Sequence, residues 1–187
     1  MRSFFCNRKE VSAHIVIENG REVCMDSKSV NPLLEEIKED YRSLRVVSPA
    51  YAGGRGELTA ILQYVYQSVL LGQTGREREA KVLMKIAADE MRHLELLGSA
   101  ITRLGAPPVF TNCPPYPVGY YSASCVNYAK NLEAMICVDV QSERTAIAEY
   151  GRMLAALDNP PLETLIRMIL GDEEEHLKIL EDMQKGL

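Results

Sequence analysis

The chain has 187 residues, of which 47% are hydrophobic and 25% charged, and its formal net charge at pH 7 is −5. The length favours one domain with at most a small appendage, and the scattered basic residues argue against a nucleic-acid partner. No apolar run is long enough to span a membrane, and the sequence MRSFFCNRKE becomes polar too soon for a secretory signal. We therefore expect a cytoplasmic protein with no membrane partner.

The cysteine pattern excludes the common thiolate metal sites. The five cysteines are odd in number and widely spaced, and no Cys-x-x-Cys pair occurs. Neither a zinc ribbon nor a rubredoxin-type iron site is therefore encoded. Reduced thiols in a cytosolic protein are the simplest interpretation.

The first 48 residues are predicted to form a small N-terminal extension. Residues 12–25 alternate apolar and polar side chains around Asn19-Gly20, which predicts a β-hairpin. The segment SVNPLLEEIKEDYRSLRVV then predicts a short helix that begins near Pro32, because proline favours the first turn of a helix.

Residues 49–187 are predicted to form an all-α four-helix bundle. Helical periodicity runs over 50–72, 76–104, 126–156 and 160–184. The short turns LGQTG and LDNPP each join two of these helices into an antiparallel hairpin. The Pro-rich link of residues 105–125 can extend over roughly 65–70 Å, which exceeds the length of about 43 Å expected for the helix before it. This connectivity, short then long then short, is that of a bundle with one crossover.

Two of the three histidines follow a glutamate by three residues, in the pairs Glu90/His93 and Glu173/His176. On a helix this spacing places both side chains on one face, one turn apart. Both pairs are also in register with the apolar residues of their helices. Each pair lies on the second helix of its hairpin, so the two copies form a degenerate internal repeat.

Each motif has a glutamate at equal height on the first helix of its hairpin. Reflection through the LGQTG turn places Glu57 level with Glu90, and reflection through the LDNPP turn places Glu143 level with Glu173. Glu57 and Glu143 also lie on the apolar faces of their helices. The bundle core is therefore predicted to contain four carboxylates and two imidazoles at mid-height.

Such a cluster needs compensation, because one unpaired buried carboxylate costs several kcal/mol even after relaxation. Two divalent cations neutralise four glutamates and give each ion one imidazole. Oxygen and nitrogen ligands without thiolate favour iron or manganese over copper(I) or structural zinc. Two glutamates with two Glu-x-x-His pairs form the pattern of di-iron and di-manganese carboxylate bundles. The predicted metal ligands are Glu57, Glu90, His93, Glu143, Glu173 and His176.

The residues around this predicted site are less constrained by their spacing. Tyr64 and Tyr150 each follow one of the glutamates by seven residues, and they either hydrogen-bond to ligands or fill the core. Asp139, one turn before Glu143, is a candidate for contact with the ligands. Asp89 is predicted to lie on a solvated face.

Over residues 50–184 the sequence resembles the ferritin-like superfamily of dinuclear metal carboxylate proteins. The runs GGRGELTAILQYVYQS and IAADEMRHLELLG look like those of manganese catalases and related spore-coat proteins. The glycine pair precedes Gly56 by one residue rather than two, and Asp89 stands where those families carry glutamate. The spacing of Glu143 and Glu173 also resembles that of rubrerythrins. However, Val140 stands where rubrerythrins carry a further carboxylate, and their rubredoxin cysteines are absent.

The two branches of the superfamily imply different roles for Glu173. The catalase resemblance implies that Glu173 is an outer-sphere base for peroxide protons and that the ligands are Glu57, Glu90, His93, Glu143 and His176. The di-iron resemblance implies that Glu173 is itself a ligand. Both assignments remain open at this point.

The resemblance implies an oxidoreductase with two iron or manganese ions, most like a manganese catalase, that removes hydrogen peroxide. Glu57 and Glu173 are then the candidate catalytic residues. Alternatives are a rubrerythrin-type di-iron peroxidase without rubredoxin, a ferroxidase or iron-storage protein that uses dioxygen, and a non-enzymatic spore-coat-like protein. We expect a homo-oligomer, either a dimer or a larger assembly.

Overall fold

A computed structural model describes residues 14–18, 21–25, 27–111, 115–116 and 118–187, with side-chain surroundings from residue 32 onward. Two short strands, β1 (His14–Glu18) and β2 (Arg21–Met25), pair antiparallel, with His14 opposite Met25. Residues 19–20, which would form the turn between them, lie outside the described residues. The predicted β-hairpin around Asn19-Gly20 therefore stays a prediction.

The protein is mostly helical, as predicted. The six α-helices of the described residues are α1 (Ser27–Glu36), α2 (Tyr41–Ala52), α3 (Glu57–Gln73), α4 (Glu77–Arg103), α5 (Leu132–Ala156) and α6 (Pro160–Lys185). Asn131 and Asn159 cap α5 and α6, because their side chains accept hydrogen bonds from the backbone of Ala134 and Leu162. None of the helices in the described part of the chain is long and apolar enough to cross a membrane.

The helices before residue 57 differ from the prediction. The short helix begins at Ser27 rather than near Pro32, and a separate helix, α2, covers the start of the long helix predicted over 50–72. The chain leaves the helix at Gly53, whose backbone is extended and whose N–H donates to the Pro49 carbonyl at 3.0 Å; a Cβ at Gly53 would overlap that carbonyl oxygen, so glycine fits there. Since α2 runs across residues 48–49, the division into a 1–48 extension and a 49–187 bundle stays a prediction.

The four long helices form two antiparallel hairpins. Helix α3 packs along α4, helix α5 packs along α6, and α4 contacts α6 between the hairpins. Several contacts hold the crossover between α4 and α5 to the bundle, among them a ring contact and a hydrogen bond. Phe110 stacks on Tyr51 with ring centroids 5.4 Å apart, and Gln63 accepts a hydrogen bond from the Asn127 backbone at 3.0 Å.

The buried apolar side chains form two clusters at different heights of the bundle. One cluster contains Leu97 and Ile101 of α4, and the other contains Leu83 and Ile86 of the same helix. Helices α5 and α6 contribute to both clusters in the same way. Residues near the middle of these helices therefore lie between two apolar layers, where a charged side chain is shielded from water.

The glycine before α3 sets the start of that helix, and its replacement provides a test of the fold. A Cβ on Gly56 would overlap the Ala50 carbonyl oxygen, whereas a Cβ on Gly72 would meet nothing within 4 Å. We expect Gly56→Ala to lower the free energy of unfolding by about 2–3 kcal/mol through overpacking. Gly72→Ala should leave it unchanged or raise it by up to ~1 kcal/mol, because it restricts the unfolded chain. Urea denaturation measures both, and equal effects would contradict the packing of α2 against α3.

Candidate metal centre

The six residues predicted to bind metal come together in the middle of the bundle, and none of them is more than 4% exposed. Glu57 is the first residue of α3, and Glu143 lies on α5. Helices α4 and α6 contribute the two Glu-x-x-His pairs from the facing side. The spacing of two motifs and two reflected glutamates therefore corresponds to one cluster in space.

The cluster divides into two overlapping groups of donors. Within each group, one ligand atom from every residue lies within 4.8 Å of the others. The first group consists of Glu57, Glu90, His93 and Glu173. The second group consists of Glu90, Glu143, Glu173 and His176. Glu90 and Glu173 belong to both groups. The arrangement offers two adjacent cation positions that share two carboxylates, each with one further glutamate and one histidine.

Both imidazoles present Nδ1 to the cluster. His93 Nδ1 lies 2.9 Å from Glu90 Oε2 and 3.2 Å from Glu173 Oε1, and His176 Nδ1 lies 3.1 Å from Glu90 Oε1. The other ring nitrogens point away from the cluster, towards Asp172 at 3.0 Å and Asp89 at 3.5 Å. A carboxylate on the outer nitrogen of a metal-binding histidine fixes its orientation and raises its basicity.

The contacts of Asp89 and Asp172 with the histidines do not follow from the predictions made for their helices. Asp89, predicted to lie on a solvated face, is about one-third exposed and contacts His176. The sequence does contain a signal for these aspartates, because both motifs have the form Asp-Glu-x-x-His, as DEMRH and DEEEH. Each aspartate contacts the histidine of the other hairpin, a pairing that the periodicity of a single helix does not reveal.

The two tyrosines connect the hairpins in the same reciprocal way. The Tyr64 hydroxyl of α3 donates to Glu143 of α5, and the Tyr150 hydroxyl of α5 donates to Glu57 of α3. Both tyrosines are buried. Both roles considered for them are present, because their rings belong to the buried apolar clusters and their hydroxyls fix the orientation of the two carboxylates.

Without cations, the cluster retains protons. Burial raises the pKa of Glu143 well above its usual value, and burial together with the neighbouring Glu57 raises the pKa of Glu90. Burial alone would lower the pKa of His176, but the neighbouring carboxylates of Asp89, Glu173 and Glu90 outweigh it and raise the value to about 12. A metal ion that binds here would therefore compete with protons for the imidazole nitrogens.

Two buried atoms of the cluster have no hydrogen-bond partner, so hydrogen bonds within the cluster do not satisfy all of its polar groups. Glu90 Oε1 and His176 Nδ1 are buried and have no hydrogen-bond partner, although they lie only 3.1 Å apart. A carboxylate oxygen and an imidazole nitrogen that lie this close without hydrogen-bond geometry are placed to share a cation. Two divalent ions balance the four carboxylates, so the donor set fits a pair of ions such as manganese or iron.

A fifth buried carboxyl, that of Asp139, lies beside the four glutamates of the site. Asp139 is fully buried, and its Oδ1 accepts hydrogen bonds from the amides of Gln63 at 2.9 Å and Gln67 at 2.8 Å. Asp139 Oδ2 and Gln67 Oε1 are both buried without a hydrogen-bond partner. One proton on Oδ2 converts it into a donor for the Gln67 amide, as in an acid–amide pair. Burial raises the pKa of Asp139 to about 7, in agreement with a proton held there.

Comparisons with known proteins identify the fold. The family model of the ferritin-like domain matches residues 55–187. The KatB manganese catalase from Anabaena is 18% identical over 98% of this chain and 80% of its own, with a TM-score of 0.71. The bacterioferritin of Desulfovibrio desulfuricans, which has a diiron site, is 23% identical over 82% of each chain, with a TM-score of 0.67.

A second bacterioferritin, BfrA of Mycobacterium tuberculosis, is 23% identical over 79% of this chain and 87% of its own, with a TM-score of 0.66. No curated protein sequence matches the chain. At these identities the similarity establishes the fold alone.

The protonation of Asp139 gives a testable dependence of stability on pH. A carboxyl whose pKa rises from 3.8 to about 7 on folding destabilises the protein progressively as the pH rises between these values. Asp139→Asn keeps a donor in place of the protonated oxygen and never ionises. We expect its stability advantage over the wild type to grow over that pH range, to at most about 4 kcal/mol.

Urea denaturation of both metal-free proteins at several pH values measures this difference. The control is Glu133→Gln on the exposed face of α5, which should show no such trend. A variant Asp139→Asn that is less stable than the wild type above pH 7 would show that the ionised carboxylate is the native form.

Metal binding should release protons, because a histidine must be neutral to coordinate an ion. Titration of the metal-free protein with Mn²⁺ in weak buffer at pH 7 should release about one proton for each imidazole bound. His176→Ala should release fewer protons, and Glu174→Gln, on the exposed face of α6, should match the wild type. Binding without acidification would rule out coordination by the histidines.

Proposed function

The chain belongs to the ferritin-like domain family, and we propose that it holds two manganese or iron ions and uses them to remove hydrogen peroxide. The observation that carries the proposal is the pair of overlapping donor groups that share Glu90 and Glu173. When bound, two such ions supply two electrons or accept them, which is the number needed to break or form the O–O bond of a peroxide.

In this proposal the two hairpins share the ions equally. Glu57 and His93 would hold one ion, Glu143 and His176 would hold the other, and Glu90 and Glu173 would be available to both. The presence of Glu173 in both donor groups supports its assignment as a ligand rather than as a separate outer-sphere base. Its carboxylate also lines the open space in front of the site, where it can take part in proton transfer.

Substrate reaches the site from the side of α3 and α5. A cavity of about 520 Å³ opens between these helices, and the four glutamates of the site are among its lining residues. The two histidines are absent from the described lining and face α4 and α6. Peroxide would therefore approach the carboxylate side of the centre while the histidines remain shielded.

The chain's own groups can handle protons at the inner end of this cavity. The Tyr150 hydroxyl holds a proton against Glu57 Oε1, and Tyr64 holds one against Glu143. Both tyrosines line the cavity with their glutamates, so each proton is held beside the space that a peroxide would enter. Proton supply from a positioned side chain typically accelerates such steps by about 10²–10⁴-fold.

The likeness to a manganese catalase supports this function over the alternatives, because it extends over nearly the whole chain, including the segment before the bundle. The likeness to bacterioferritins supports a second candidate, in which the same residues oxidise ferrous iron with dioxygen. Oxygen evolution from peroxide distinguishes the first function. Ferrous iron oxidation by a closed multimeric shell, without oxygen evolution, distinguishes the second.

Loss of a shared carboxylate should abolish both metal retention and activity. We expect Glu90→Ala and Glu173→Gln to lower oxygen evolution by the manganese-loaded protein at least ~100-fold, since even outer-shell partners of ligands often cost 10–100-fold. Glu95→Gln and Glu174→Gln, which change exposed residues of the same helices, should retain activity. Elemental analysis by mass spectrometry measures the ions retained by each variant.

Full metal content in Glu90→Ala would show that the ligand assignment is wrong. If neither metal supports oxygen evolution but the protein consumes peroxide when a reductant is supplied, the activity is that of a rubrerythrin-type peroxidase.

A further inference from the structure

The cavity in front of the carboxylates is much larger than hydrogen peroxide requires. Its volume is about 520 Å³, whereas one water molecule occupies about 30 Å³ of the liquid and hydrogen peroxide has only one more oxygen atom. Cavities of about 300–1,000 Å³ are the size at which proteins bind organic molecules. The site is therefore open to a substrate with a substantial carbon skeleton.

Part of the cavity wall is apolar and made of short side chains. The apolar lining residues come from α2, α3 and α5, and they are Ala50, Ala60, Val138, Ala146 and Met153. The alanines leave the volume open, because larger side chains at these positions would fill it. An apolar group that enters this space loses contact with water, which favours its binding.

The charges around the cavity favour a neutral molecule. Arg55 is the basic residue of the described lining, and it lies at the exposed mouth, 3.7 Å from Glu149. Glu149 also belongs to the lining and balances Arg55, whereas Arg152, 3.6 Å from Glu149, is not among the lining residues. The inner end is formed by the four glutamates, whose charge two divalent ions would neutralise, so this end also has no excess positive charge for an anion. The lining thus offers an apolar wall and a polar inner end but no dedicated anion site.

We infer that this cavity binds neutral alkyl or aryl hydroperoxides, ROOH, with the carbon group against Ala60 and Ala146 and the peroxide group towards Glu57 and Glu143. The inference rests on the proposed function, because it assigns a second class of substrate to the same site. The reaction is ROOH + H₂O₂ → ROH + O₂ + H₂O. The O–O bond of ROOH breaks and takes up two electrons, which hydrogen peroxide supplies as it becomes dioxygen. The two protons that hydrogen peroxide releases end on the alcohol and on water.

Binding can be tested without turnover. The probe is 2-phenyl-2-propanol, the alcohol formed from cumene hydroperoxide, and the readout is the ¹³C-methyl NMR signal of Met153, assigned with Met153→Leu. We expect a saturable shift of this signal in the wild type. The shift should be lost in Ala146→Phe, because the larger side chain takes up part of the cavity. Ala148→Phe is the matched control, because Ala148 lies on the exposed face of the same helix. An unshifted Met153 signal in the wild type, or an equal shift in Ala146→Phe, would overturn the inference.

Turnover is tested with the metal-loaded protein, hydrogen peroxide and cumene hydroperoxide, with the alcohol and dioxygen both quantified. Ala146→Phe should lower the ratio of kcat/KM for cumene hydroperoxide to kcat/KM for hydrogen peroxide at least about tenfold, because a narrower pocket excludes the larger substrate more strongly. Ala148→Phe should change neither value.

The outcomes separate this inference from the function on which it rests. Oxygen evolution from hydrogen peroxide with cumene hydroperoxide left intact would overturn the inference and leave the proposed function standing. Cumene hydroperoxide consumption that Ala146→Phe does not affect would also overturn it. Absence of any reaction with hydrogen peroxide would refute the proposed function, and the NMR experiment would still decide whether the cavity binds the organic group.

Discussion

The structure depends on the burial of four carboxylates and two imidazoles between two apolar layers. Carboxylates in such a place repel each other and lose their hydration, and each unpaired one costs several kcal/mol. Protons on the imidazoles and carboxyls reduce this cost when no metal is bound, and the raised pKa values of Glu143 and His176 favour such protonation. A pair of divalent cations removes it more completely, so that metal binding and folding stability are coupled at this layer.

The two hairpins complete each other at this layer. Tyr64 and Tyr150 each orient a glutamate of the opposite hairpin, and Asp89 and Asp172 each lie against the histidine of the opposite hairpin. One hairpin alone therefore carries its own three candidate ligands but lacks the groups that position them. The reciprocal contacts explain why a sequence repeat, rather than a single motif, is needed to build the centre.

The centre also has two different sides. On the side of α4 and α6, the imidazoles are held against aspartates, and on the side of α3 and α5, a cavity reaches the glutamates. Asp139 lies buried between α3 and α5, where its amide partners connect it to the crossover through Gln63. A protonated Asp139 holds these helices together without adding a fifth negative charge to the site.

The sequence by itself determined the long helices and the six inward-pointing residues, because helical periodicity and reflection through short turns are local rules. It did not determine the break between α2 and α3, which depends on the fit of Gly56 against Ala50. Nor did it determine the partners of Asp89, Asp139 and Asp172, or the open space beside Ala146. These features depend on how far apart the helices lie and how each is rotated about its axis. Packing between distant segments sets both quantities, so only the tertiary structure decided them.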